Sequence, residues 1–343
     1  MPTDSSHPVY LSRRGALASV ADRREAYVDV QATHVSVEST SSTGVRTFEL
    51  KGRIVLLAMD DSAAATAGAR VALALARAHG AIVHVVNVVD TRSVPFPPAL
   101  NVALAIEDPE RDLTSHQAEV QQTREALAVA TGQVIDWPIR VAIGAPASTI
   151  VEEAQRIDAA LVIVGLHRYA RFDRAMNNET ALSVMRRATC PVLGVVPGMM
   201  ELPTRILAAT DFSAISLTAM RAAHAIAGDG AVLVLAYAAP ITALLGDEGE
   251  RVVHDLGVRA AFAEATRQLG DDGVTFDHVV LEHELSATTA ETILKYAEAS
   301  KSNLIAAGSA RQGRIDRWMM GSVSTGLVRD GGVSVLVVRP QHK

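Results

Sequence analysis

Three arginines at three-residue spacing, introduced by a glycine and interrupted by an aspartate, occur twice in this chain. They are Gly165, Arg168, Arg171, Asp173 and Arg174, and then Gly308, Arg311, Arg314, Asp316 and Arg317. Guanidinium groups so spaced could grip phosphates or an acidic partner with their planar forks of donors. The commoner arrangement for such a run is a solvated face on which the aspartate pairs with neighbouring arginines. The phrase returns about a domain's length later, and Cys190-Pro191-Val192-Leu193 returns at the same offset as Val333-Ser334-Val335-Leu336. Solenoid repeats recur every ~20–50 residues, so a period this long means duplication of a whole fold. Downstream the copies diverge: Gly321-Ser322-Val323 stands in the second where the first has Asn178-Glu179-Thr180. A function carried by these loops is therefore unequal between the halves.

Other chemistry is sparse. Glu282-His283-Glu284 is the one grouping of histidine with potential ligands, and it reads more readily as an exposed strand end than as a metal site. There is no Walker lysine motif, nucleophile elbow, zinc-protease helix or dinucleotide glycine fingerprint, so enzymatic function has no positive support. The single cysteine, Cys190, excludes an internal disulfide and points to a reduced, cytoplasmic setting.

At 343 residues and 49% hydrophobic content the chain can bury two ordinary cores. A net charge of −6 gives no global attraction for nucleic acid or an anionic membrane, and 4% aromatics argues against stacking platforms for single strands. No apolar run is long enough to span a membrane. Residues 1–50 are rich in Ser, Thr, Asp and Arg and read as a flexible leader, with a short helix expected around 13–24 and a strand-like piece near 35–37.

From Arg53 onward, short apolar runs alternate with helical stretches. Strands are expected at 54–59, 81–89, 138–143, 160–164 and 192–196, with helices at 62–79, 113–131, 147–156 and 179–188. The second half repeats the order, with strands at 205–209, 231–237, 275–281, 303–307 and 333–338. Its helices are expected at 214–227, 252–269, 288–299 and 323–329. Continuous apolar strands joined by helical crossovers imply a parallel sheet covered on both faces, so the expected fold is α/β: two tandem doubly wound domains, at 51–198 and 203–340. In such sheets ligands sit beyond the carboxyl ends of strands near the topological switch point. Two loops per half reach that place. One follows the opening strand, with Asp60 and Ser62 or Asp211 and Ser213; the other begins at Gly165 or Gly308.

These residues carry a resemblance: both halves resemble universal stress protein domains, over about residues 50 to 340. That family opens with an apolar strand ending in Val-Asp-x-Ser, and its ATP-binding members carry Gly-x-x-Gly, nine further residues, then Gly-Ser/Thr before a strand of Cys-Pro-Val-Leu type. The first half offers Asp60, Ser62, Val141 to Gly144, Gly165 and Cys190 to Leu193; the second offers Asp211, Ser213, Gly308 and Gly321-Ser322-Val323-Ser324 at the family spacing. The resemblance implies flavodoxin-like domains packed as an intramolecular pseudo-dimer, with Cys190 as inert packing. It implies phosphate binding by Gly308, Gly321, Ser322, Val323 and Ser324, and an adenine contact from Asp211. Asp60 and Asp211 also precede serines at helix starts, where capping is an equally good account.

Two departures from the motif bear on this. The second glycine is replaced by Arg311, and by Arg168 in the first half; an arginine there adds a cation and a Cβ at once. The first half further sets Glu179 where a triphosphate would lie, which repels that ligand. The expected function is a cytoplasmic stress-response or regulatory protein that binds ATP, with Mg²⁺, through the second half and acts by interaction with a protein partner. Arg311 would add a cationic contact. The alternatives are a nucleotide-free interaction scaffold with both loops vestigial, and a weak ATPase. Neither nucleic acid nor membrane is an expected partner, and the expected state is a monomeric pseudo-dimer or a homodimer.

Overall fold

The structure is a computed structural model that describes residues 9–10, 48–90, 109–167, 178–239, 248–270, 273–282, 286–309 and 320–340. The arginine triplets, Arg311 among them, lie outside the described residues. So do His283, Glu284 and the expected leader elements at 13–24 and 35–37. The first strand is a two-residue piece, β1 (Val9–Tyr10). The remainder divides into two compact units, one built mainly from Glu49–Leu202 and the other from Pro203–Ala310 with Gly321–Val338.

In the first unit the chain runs β2 (Ile54–Met59), α1 (Ala63–His79), β3 (Ile82–Asp90), α2 (Pro109–Thr131), β4 (Ile139–Gly144), α3 (Pro146–Arg156), β5 (Leu161–Gly165), α4 (Glu179–Arg187) and β6 (Val192–Val195). Its strands are all parallel, in the order β6-β5-β2-β3-β4. The order reverses between β2 and β5, which is the switch point, and Leu57 is paired with Ile163 there.

The second unit repeats this as β7 (Arg205–Thr210), α5 (Ala214–Ala225), β8 (Val232–Ala239), α6 (Glu248–Leu269), β9 (Thr275–Glu282), α7 (Thr289–Ala299), β10 (Leu304–Gly308), α8 (Ser322–Asp330) and β11 (Ser334–Val338). The strand order is β9-β8-β7-β10-β11, again parallel. The short β1 adds beside β9, with Val9 opposite Val279. The expected doubly wound α/β architecture is therefore present in both halves, with most element bounds within two residues of those the apolar runs suggest. The α2 and α6 helices depart most, each starting a turn earlier because Pro109 to Asp112 and Glu248 to Arg251 carry no apolar period.

Local chemistry explains where the helices begin and end. Ser62 caps α1, its Oγ accepting from Ala65 N–H at 3.0 Å, and Gly80 ends the helix in the left-handed conformation at φ 64°. Alanines 64, 65, 67, 69 and 72 are buried, and small residues on that face let α1 lie close on the sheet. A Cβ at Gly68 would come within 3.3 Å of both Ile163 and Leu57. In the second unit Thr288 and Glu291 form a reciprocal capping box at the start of α7.

Candidate functional site

At the switch point of the second unit, the loops leaving β7 and β10 begin side by side, since Ala209 is paired with Ala307. Asp211 follows β7 and faces solvent; its Oδ1 accepts from Ser213 N–H at 3.0 Å. The helix cap is Ser213, whose Oγ accepts from Ser216 N–H at 3.4 Å. Partial burial works to raise the Asp211 pKa, but hydrogen bonds from Ser213 and Ser216 outweigh it and hold the carboxyl below its ordinary value. Asp211 is thus an ionised acceptor at neutral pH. Burial raises the pKa of Tyr237 near the end of β8, and the Asp211 charge acts in the same direction.

Between Asp211 and Ser213 sits Phe212, whose φ of 59° is left-handed, a conformation that costs a non-glycine residue about 1–2 kcal/mol. Its N–H donates to Thr210 Oγ1 at 2.8 Å. Its ring packs against Tyr237, with centroids 5.2 Å apart, and edge-on against Phe262 at 5.1 Å. Phe262 in turn stacks on His278 at 4.8 Å. Nothing in the local sequence signals this backbone, because the contacts that repay the strain come from β8 and α6.

Gly308 ends β10 against the first turn of α5. A Cβ there would lie 3.0 Å from Ile215 C and 3.0 Å from Ser216 N. Packing alone therefore favours glycine here, before any ligand is considered. The next residue, Ser309, is buried and ties the two ends of the loop together: its N–H donates to Val338 O at 2.8 Å and its Oγ accepts from Gly321 N–H at 3.3 Å. Ser324 is also buried, and its hydroxyl donates to Gly308 O at 3.3 Å.

Gly321 stands at the N-cap of α8 with φ −57°, an ordinary value. Among the described residues, and apart from its own chain neighbours, no atom lies within 4 Å of where its Cβ would be. Among the described residues no side chain caps this helix, and its first turn contains no acid. The amides of Ser322, Val323 and Ser324 precede the first helical bond, which Thr325 N–H makes to Gly321 O. Uncapped amides at the positive end of a helix are suited to an anion. The structure thus brings Asp211, Gly308, Gly321, Ser322, Val323 and Ser324 to one end of one sheet. Phosphate oxygens could meet the α8 amides and the exposed Ser322 hydroxyl, whereas the Ser324 hydroxyl donates within the loop and Ser309 Oγ accepts within it.

The first unit has the same frame with different side chains. Asp60 accepts from Ser62 N–H at 2.9 Å, and Gly165 packs on α1, where a Cβ would lie 2.9 Å from the Ala64 Cβ. Asn178 replaces Gly321 and is buried, with its Oδ1 accepting from His167 N–H at 3.0 Å. Glu179 sits in the first turn of α4.

The family profile described as Universal stress protein family matches residues 52–196 and again 203–339. The chain belongs to the universal stress protein family. Among solved structures, a universal stress protein from Archaeoglobus fulgidus DSM 4304 superposes with a TM-score of 0.61 at 19% identity, over 86% of this chain and 98% of its own. A functionally unknown protein from Pseudomonas aeruginosa PAO1 does so at 0.54 and 16% identity, covering 84% of this chain and 93% of that one. These likenesses establish a tandem universal stress protein fold. No curated protein sequence matches the chain significantly.

Away from these loops, Glu153 is buried between Arg140 at 2.7 Å and Arg156 at 2.6 Å, which together tie β4 to α3. Cys190 is buried, and burial pushes its thiol pKa up to about 12. Among the described residues there is no group of three or more His, Cys, Asp or Glu side chains able to hold a metal ion. None of the described helices is long and apolar enough to cross a membrane.

Proposed function

We propose that this universal stress protein is a regulatory module that binds an adenine nucleotide, ATP with Mg²⁺, through its second unit and passes its occupancy to a protein partner. The observation that carries the reading is the start of α8, where no described residue caps the amides of Ser322, Val323 and Ser324 or comes within 4 Å of a Cβ at Gly321. Asp211, held ionised beside Tyr237, supplies an acceptor for an adenine amino group at the neighbouring loop. Arg311 would add its charge to the phosphates. The test is calorimetric titration with ATP and Mg²⁺, together with mass spectrometry of small molecules released from freshly purified protein. Saturable binding that is lost in Gly321→Glu is the expected result; unchanged affinity in that variant overturns the reading.

A nucleotide-free scaffold is the second reading, and one observation favours it. The packing of Gly308 on Ile215 and Ser216 explains that glycine without any phosphate. Purified protein free of nucleotide, with no heat of binding on titration, would establish it.

A further inference from the structure

In the first unit, the two amides that follow β5 are both taken. Leu166 N–H donates to Val195 O at 2.7 Å, and His167 N–H donates to the side-chain oxygen of Asn178 at 3.0 Å. The first of these bonds recurs in the second unit, as Ser309 N–H to Val338 O. The second cannot recur in kind, because Gly321 has no side chain with which to make it.

A second, independent lock holds the same turn. Leu166 is 2% exposed, and its side chain fills a notch left by Gly194 in β6; a Cβ at Gly194 would fall 2.5 Å from Leu166 Cδ1 and 2.8 Å from Met185 Cε. The second unit places polar Ser309 at the position of Leu166 and Val337 at that of Gly194. Leucine anchors its turn by burial, whereas Ser309 anchors its own by hydrogen bonds to residues on either side. The carboxylate of Glu179 meanwhile stands in the first turn of α4, where the positive helix end favours an anion that the chain itself supplies.

We infer that the described ends of the first unit's loop are pinned by side chains of that unit, the Asn178 amide on His167 N–H and Leu166 in the Gly194 notch, so that the chain offers one nucleotide loop and not two. The inference rests on the proposed function for what the second loop binds. The seal itself is a property of the first unit alone.

Two measurements separate them. Residue-resolved amide exchange reads the seal directly: His167 N–H is protected in the wild type, exchanges about tenfold faster or more in Asn178→Gly, and stays protected in Asn178→Asp, which keeps the acceptor. Titration of the wild type with ATP and Mg²⁺ should reach one nucleotide per chain, falling to none in Gly321→Glu. Two nucleotides per chain, or His167 exchanging as fast in the wild type as in Asn178→Gly, overturns the seal. Protection of His167 in a wild-type chain that binds no ATP leaves the seal standing and removes the proposed function.

Discussion

Two titratable side chains have environments that make stability depend on pH in separate ranges. Burial lowers the pKa of His278 from its ordinary 6.5, with Asp277 pulling the other way, and the ring accepts or donates one hydrogen bond with Thr266 at 2.9 Å. Below about pH 6.5 the unfolded chain takes up a proton that the folded chain refuses, so stability falls with pH until the folded value is reached. Urea midpoints at pH 7.5 and 5.5 should show this decline in the wild type, and a smaller one in His278→Gln. The Glu153 pKa is likewise lowered, from its ordinary 4.5: the Arg156 hydrogen bond lowers it, burial opposes, and the charge of Arg140 adds to the lowering. Its contribution is present above the unfolded value and is lost as pH falls through the folded one. Glu153→Gln should cost about 1–3 kcal/mol near neutrality, because it leaves two arginines without their shared buried partner. The loss should shrink in acid, as read by denaturant titration at pH 7 and pH 3.

At the scale of elements, the two glycines of the second loop have different structural roles. Gly308→Ala drives a Cβ to 3.0 Å from backbone atoms of α5, and forcing β10 away from that helix should cost about 1–3 kcal/mol. Gly321→Ala meets no described atom within 4 Å and has ordinary φ, so it should cost only about 0.5–1 kcal/mol, the loss when alanine replaces glycine at an N-cap. Thermal unfolding without ligand distinguishes the two, and nucleotide titration of the Gly321 variants then reports on binding without a folding defect. The strand that carries Gly308 was legible in sequence, because parallel strands covered on both faces must be continuous apolar runs. The α1 and α5 helices were equally legible, from serine caps ahead of alanine-rich stretches. What escaped was tertiary. The left-handed backbone of Phe212 depends on Tyr237 and Phe262, the acceptor for His167 N–H depends on where Asn178 folds, and β1 is too short to carry a period.

Over the whole molecule, duplication makes each unit a reference for the other. The asymmetry at 178–180 against 321–323 was visible in the residues alone, and the packing beneath it was not. The single cysteine offers a probe confined to one of the two units. With its thiol buried and its pKa pushed to about 12, Cys190 should react with a disulfide reagent at pH 8 many times more slowly in the native chain than in the unfolded one. A native rate close to the unfolded rate would mean that the first unit opens readily. Labelling followed across a urea series therefore reports the first unit alone, and comparison with circular dichroism shows whether both halves unfold together.

The notch at Gly194 has one more consequence, for anyone who would move a working loop from one half of the gene to the other. Leu166 and Gly194 are complementary in volume, as a key and its keyhole, and the corresponding residues of the other half are Ser309 and Val337. Transplanting the strand alone would set a valine against Leu166; transplanting the loop alone would leave Gly194 facing a serine too small to fill the gap. The smallest portable cassette in this protein is a turn together with the strand beneath it.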